Sequence, residues 1–235
     1  MIKFIFNNKN SFDDMDCIVV GTISYPFMKE DVEFIEVEGR KAGSLTEKTG
    51  NYSDLKLSMT LKLVNMKNYN GSSSRIQEWL ESIKNNKLYF VDNPSKSYIV
   101  KTVNYTDITP TGGYEAKFKV TFVCEPFLKL TRETKIEIKK GDKVYNGGYI
   151  ESEPIIRLSL PNTQQNIQID INGRTFEIRE VYGDVEINSS LMQIKGENNF
   201  RSIGHFPTLD KGNNIITWIG DINKFEIEKN TLWRA

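Results

Sequence analysis

The sequence predicts a mainly β protein in two domains, and three observations carry that prediction. Long stretches alternate apolar and polar residues with period two. Only one segment shows helical spacing. The second half of the chain is cut by Gly, Asn and Pro at short intervals, the pattern of short strands in a sandwich. A length of 235 residues accommodates two modest domains. The first, residues 1–131, is expected as strands plus one α-helix. The second, residues 132–235, is expected as a sandwich of short strands.

Taken in order, "IKFIF" and "CIVVGTIS" read as the opening strands. In "DLKLSMTLKLV", Leu55, Leu57, Met59, Leu61 and Leu63 fall on one face, and Lys56, Ser58, Thr60 and Lys62 on the other. "YEAKFKVTFV" repeats the pattern, with Tyr114, Ala116, Phe118, Val120 and Phe122 against Glu115, Lys117, Lys119 and Thr121. The helix is "SSSRIQEWLESIKNN": Ile76, Trp79, Leu80 and Ile83 form an apolar stripe at i, i+3, i+4 and i+7. Ser74 with Gln77 fits a capping box, and the Asn pair ends the segment. Trp79 is expected in the core. "LYFVD", "SYIVKTVNY", "IIRLSL", "IQIDI", "TFEIREV" and "IITWI" are further strands. "IITWIGDINKFEI" reads as a hairpin tipped by Gly220-Asp221, preceded by a turn at Gly212, Asn213 and Asn214. After "CEPF" the chain becomes more polar and holds Gly147-Gly148, which places the domain boundary between Lys129 and Thr134.

Charge and composition exclude several functions. Lys plus Arg and Asp plus Glu are 31 each, so nothing predicts affinity for nucleic acid, and weak net repulsion suits a subunit that assembles. Cys17 and Cys124 lie in apolar runs and are expected as free, buried thiols. Two distant cysteines and one histidine do not make a zinc site. "GSLTEKTG" lacks the Gly-Lys-Ser/Thr of a phosphate loop. His205 is the one residue on which a hydrolytic triad could be built, and its setting before Pro207 reads as a turn. No paired carboxylates stand out for glycoside cleavage. The expectation is of no catalysis and no cofactor. "MIKFIFNNKN" has too short an apolar run for a signal peptide, and no run reaches a membrane span.

The order of motifs resembles the siphophage distal tail protein family. "YPFMKEDVEFIEVEGRKAGSLTEKTGNYSDLKLSMTLKL" is similar to its N-terminal signature: an extended segment, a Gly-Arg turn, a loop and a long amphipathic strand. Here Glu38 stands where the family more often has Pro, and one extra residue precedes Gly43. "FKVTFVCEPF" resembles the strand closing the first domain, and "NGGYIESEPIIRLSL" the entry to the second. "EINSSLMQIKGENN" and "GHFPTLDKGNNIITWIG" are similar to the closing region.

That resemblance implies a galectin-like β-sandwich for the second domain and, for the first, a β-sandwich with one α-helix that builds a hexameric ring. It implies a virion tail component, made in the bacterial host cytoplasm, that joins the tail tube to a tail-associated hub or lysin and to receptor-binding proteins. DNA passes through such a ring without specific binding, and no membrane insertion is expected. The glycine-punctuated segment from Gly39 to Asp54 carries few apolar side chains, as a loop ordered by a neighbouring subunit would. Arg40, Lys41, Ser44, Leu45 and Tyr52 are its candidate contact residues. The acidic run Glu30, Asp31, Glu33 and Glu36 is the candidate channel lining, repelling phosphate. A host-surface saccharide, stacked on Trp218 or Trp233, is the alternative partner, and a cell-wall hydrolase the more remote alternative.

Overall fold

The computed structural model describes residues 2–64, 69–112, 115–197 and 200–235. The chain divides into two compact units, Met1–Thr131 with Arg234–Ala235, and Arg132–Trp233.

The first unit contains β1 (Phe4–Phe6), β2 (Lys9–Asn10), β3 (Cys17–Ser24), β4 (Glu30–Ile35), β5 (Leu45–Tyr52) and β6 (Leu55–Leu63), followed by α1 (Tyr69–Glu81). It continues with β7 (Lys87–Phe90), β8 (Asn93–Tyr105), β9 (Thr109–Gly112), β10 (Glu115–Cys124) and β11 (Lys129–Leu130). Its large sheet runs β2-β1-β7-β8-β10-β6-β3, with β11 added on β8 and β9 on β10. Strand β8 serves both halves: Tyr98 and Ile99 pair with β7, whereas Val100 to Tyr105 pair with β10. The two halves close on one apolar interior, where Phe122 on β10 meets Phe4 and Phe6 on β1 edge to face, at 5.8 and 5.1 Å.

The period-two pattern converts directly into burial. Leu55, Leu57, Met59, Leu61 and Leu63 are all buried on β6, and Ala116, Phe118, Val120 and Phe122 on β10. The strands run antiparallel with Leu61 opposite Phe118 and Leu57 opposite Phe122, so each rung delivers two side chains to the core. Tyr114, expected in the same row, lies outside the described residues.

The helix begins at Tyr69, ahead of Ser72, and this overturns the expected capping box. Ser74 sits inside the first turns rather than at the cap, and Gln77 donates to Glu81 on its own helix face. Ile76, Trp79 and Leu80 are buried as the stripe requires, while Ile83 lies beyond the last helical residue. Trp79 stacks on Phe4 at 5.8 Å and donates its indole N–H to the carbonyl of Phe6 at 2.8 Å. The helix end is closed from elsewhere in the chain, not by the Asn85-Asn86 pair alone. Asn7, at φ 51° in the β1–β2 turn, donates to the carbonyls of Trp79 and Ser82 and accepts from the N–H groups of Lys84 and Asn85. One amide thus satisfies the Trp79 carbonyl, left orphan in the last helical turn, and the Ser82 carbonyl just beyond it.

The second unit contains β12 (Ile136–Glu137), β13 (Lys143–Asn146), β14 (Ile155–Ser159), β15 (Gln165–Ile171) and β16 (Arg174–Val181). It ends with β17 (Asp184–Asn188), β18 (Gln193–Lys195), β19 (Arg201–Gly204), β20 (Gly212–Ile219) and β21 (Lys224–Glu228). Two five-stranded sheets, β12-β21-β14-β17-β18 and β13-β20-β15-β16-β19, face each other across one core. Ile156, Leu158, Ile187 and Ile227 come from one sheet, and Ile167, Ile169, Phe176 and Ile216 from the other.

Two expectations change here. "IITWIGDINKFEI" is not a hairpin: β20 and β21 belong to opposite sheets, and the chain crosses the sandwich at Gly220, φ 106°. The crossing is fixed by Trp218 stacking on Phe225 at 4.9 Å and by Gln165 bonding Asp221 through both its N–H and carbonyl. The Gly212–Asn214 segment is the start of β20 rather than a free turn. Asn214 is fully buried there, donating to the carbonyls of Val144, Asp210 and Gly212. The "NGG" step at the entry to this unit has a similar cause. Buried Asn146 donates to Ile150 and Leu209 and accepts from the N–H of Gly148, where a Cβ would stand 2.8 Å from the carbonyl of Leu232.

Candidate assembly surface

The segment from Tyr25 to Asp54 departs from the rest of the first unit. Among the described residues, strands β4 and β5 pair only with each other, as a separate two-stranded sheet. The segment expected as a loop is therefore half strand, because Leu45, Thr46, Thr49 and Tyr52 supply β-formers that β4 can pair. The glycines serve the bends. Gly39 and Gly43, at φ 79° and 77°, shape the tip, and Gly50, at φ 75°, lies beside the bulge near Val32.

Both faces of this hairpin meet solvent. Ile35 pairs with Leu45 and Glu33 with Glu47 on one face, Phe34 with Thr46 and Val32 with Lys48 on the other. Phe34 is 72% exposed and Phe27, at the approach to the hairpin, 84%. Val32, Ile35, Val37 and Leu45 are exposed as well. An isolated two-stranded hairpin is marginal in water, and a cluster of exposed apolar side chains marks an interaction surface.

The root, by contrast, is fixed. Met28 is buried, the N–H of Ser53 donates to the carbonyl of Lys29, and Tyr52 packs edge-on against Phe127 at 4.9 Å. The structure thus places the expected contact residues in two groups. Arg40, Lys41, Ser44 and Leu45 are exposed at the tip and on distal β5. Tyr52 is engaged inside its own unit. Of the acidic run, Glu30 pairs with Lys48 at 2.7 Å and Asp31 accepts from the hydroxyl of Ser53. Glu33 and Glu36 extend into solvent. The exposed phenylalanines were not singled out from sequence. Their signal was present, in "FIEV" set between charged residues, but alternation alone does not say whether an apolar face finds a core.

Other candidates resolve differently. His205 is exposed just after β19. Cys17 and Cys124 are free and buried, and burial pushes each thiol up to about 12. Trp218, offered as a sugar platform, is committed to Phe225, and Trp233 is half-buried beside Gly147. A groove of about 740 Å³ overlies the β14–β17 sheet face. A rung of Glu137, Glu226, Arg157, Glu186 and Lys195 runs across that sheet. Arg157 is paired with Glu186 at 2.9 Å and Glu228 at 3.0 Å.

No protein-family model and no curated protein matches the sequence. Similarity lies in the fold. The crystal structure of the SPP1 Dit (gp 19.1) protein, described as a paradigm of the hub adsorption apparatus in phages infecting Gram-positive bacteria, superposes with a TM-score of 0.69 at 12% identity. The match covers 100% of this chain and 99% of that one. A chain of the phage P2 baseplate, in its activated conformation with Ca, gives 0.48 at 12% identity over 97% and 96% of the two chains. From end to end, the chain has the fold of the SPP1 Dit protein.

Proposed function

We propose that the chain is a structural subunit of a phage tail, a distal tail or baseplate adaptor. Copies assemble into a hexameric ring that joins the tail tube to the host-adsorption tip and lets DNA pass. The observation that carries the reading is the β4–β5 hairpin, which is anchored at its root and leaves Val32, Phe34, Ile35 and Leu45 exposed along its length. A subunit that closes head to tail with its neighbours needs such an arm. Its likeness in fold to a protein of a phage adsorption hub supports the same reading. The work is docking, with neither catalysis nor cofactor, at the virion tail. Partners are further copies, the tail tube, and a tail-associated hub or receptor-binding protein.

Subunit contact is favoured over channel lining for this hairpin. Phe34 and Ile35 beside Glu33 suit a protein partner, whereas a wall along which DNA slides is better hydrated. Saccharide binding through Trp218 has no support, since that ring is partly buried against the core and stacked on Phe225.

The test uses the hairpin's closed base. The Lys29 carbonyl and Ser53 amide are hydrogen-bonded, so residues 30–52 can be replaced by two glycines without stretching the chain. Native mass and electron microscopy should show rings for the full chain and monomers for the excised one. Rings that persist after excision sink the reading.

A further inference from the structure

The hairpin carries an electrostatic asymmetry that points to its receiving surface. Glu33 and Glu47 stand directly opposite each other on one face. Like charges in that position disfavour the pairing, and neither has an ion-pair partner among the described residues. The next rung on that face, Ile35 with Leu45, is apolar and exposed.

The complementary pattern occurs on the outward face of the large sheet. One rung runs Ile18, Lys62, Lys117 across β3, β6 and β10, and the next runs Val20, Thr60, Lys119. Lys62 is neutralised by Glu115 at 2.5 Å. Lys56, Lys117 and Lys119 are exposed and have no ion-pair partner among the described residues. The face therefore offers cations on β10 and half-buried aliphatic side chains on β3, and three strands give a flat bed for a two-stranded ribbon. The groove beside α1 is a poorer match, because Lys9 and Lys84 there are accompanied by Asp14 and Glu78.

We propose that the β4–β5 hairpin of one copy lies over the β3–β6–β10 face of a second copy, with Glu33 and Glu47 meeting Lys117 and Lys119 and the Ile35–Leu45 rung meeting Ile18 and Val20. The proposal rests on the ring reading and names the surface that receives the arm. Each surface holds unneutralised like charge in the free subunit, and docking cancels both.

Charge reversal in the full chain tests it. E33K with E47K, and K117E with K119E, should each raise the concentration for half-assembly by about tenfold or more. All four changes in one chain should recover assembly, as should mixing the two double variants. Added salt should weaken wild-type assembly. A zero-length carbodiimide cross-linker should join Glu33 or Glu47 to Lys117 or Lys119 between subunits, as mapped by mass spectrometry. Circular dichroism checks that each variant is folded.

A wild-type ring that ignores the lysine reversals, or is not recovered by the fourfold change, overturns this docking and leaves the ring reading standing. A wild-type chain that stays monomeric at every concentration overturns both. If the lysine reversals spare assembly but abolish salt-sensitive binding of duplex DNA to the ring, these lysines face a polyanion and the proposal fails.

Discussion

Strands β6 and β10 and strands β4 and β5 are both antiparallel pairs in the same unit, joined by similar backbone bonds. Their side chains have opposite fates. Across β6–β10, every second residue enters the core, and nine successive rungs hold register from Ala116–Leu63 to Cys124–Leu55. Across β4–β5, apolar and charged residues share both faces and Phe34 is left in water. Pairing alone does not stabilise a protein; burial of one face does. A pair that gives up burial is free to meet another surface, and in the proposed function the two pairs divide the work of folding and of contact between them.

That division can be broken most severely from the core side. Phe122→Ala removes a fully buried ring in contact with Phe4 and Phe6, and should cost about 3–5 kcal/mol in urea unfolding. A loss no larger than that of a surface mutation would erase the contrast. Alkali probes the same sheet. The thiols of Cys17 on β3 and Cys124 on β10 have folded values near 12 against an ordinary 9.0, so the folded chain holds protons that the unfolded chain releases. This stability is fully present below pH 9 and declines as pH rises from 9 toward 12. Native protein should resist thiol reagents at pH 8, and both thiols should react on unfolding. A smaller effect is expected on the outward side of the pair. Ser58 and Thr121 share a hydroxyl hydrogen bond at 2.8 Å, and Ser58→Ala should cost about 0.5–1.5 kcal/mol. Smallest of all is Phe34→Ser, which should shift monomer stability by less than about 0.5 kcal/mol while weakening ring assembly. Destabilisation as large as that of Phe122→Ala would mean that the hairpin packs on its own subunit.

The core pair was legible in the sequence because Leu55 to Leu63 and Ala116 to Phe122 write their burial as strict alternation. Helix α1 was legible for the same reason, at Ile76, Trp79 and Leu80. Its closure by Asn7 was not, since the capping amide lies more than seventy residues away in sequence. Gly220-Asp221 looked like a hairpin tip because two short strands flank it; the pairing of β20 with β15 and of β21 with β14, bridged by Trp218 stacked on Phe225, shows that the chain changes sheets. At the candidate contact the charged and glycine-rich residues drew the eye, and position 34 did not. Whether an apolar residue points at a core or at water is a property of the whole fold, and local alternation carries no record of it.

The root of the hairpin has a mechanical consequence. Met28 and the Tyr52–Phe127 contact clamp one end, while strands of six and eight residues, about 20 Å or more in length, extend from it. A beam held this way is displaced most at its tip and least at its clamp. In the proposed ring, small misfits in spacing between neighbouring copies would be taken up by the ribbon, and the body that carries the large sheet would stay undeformed.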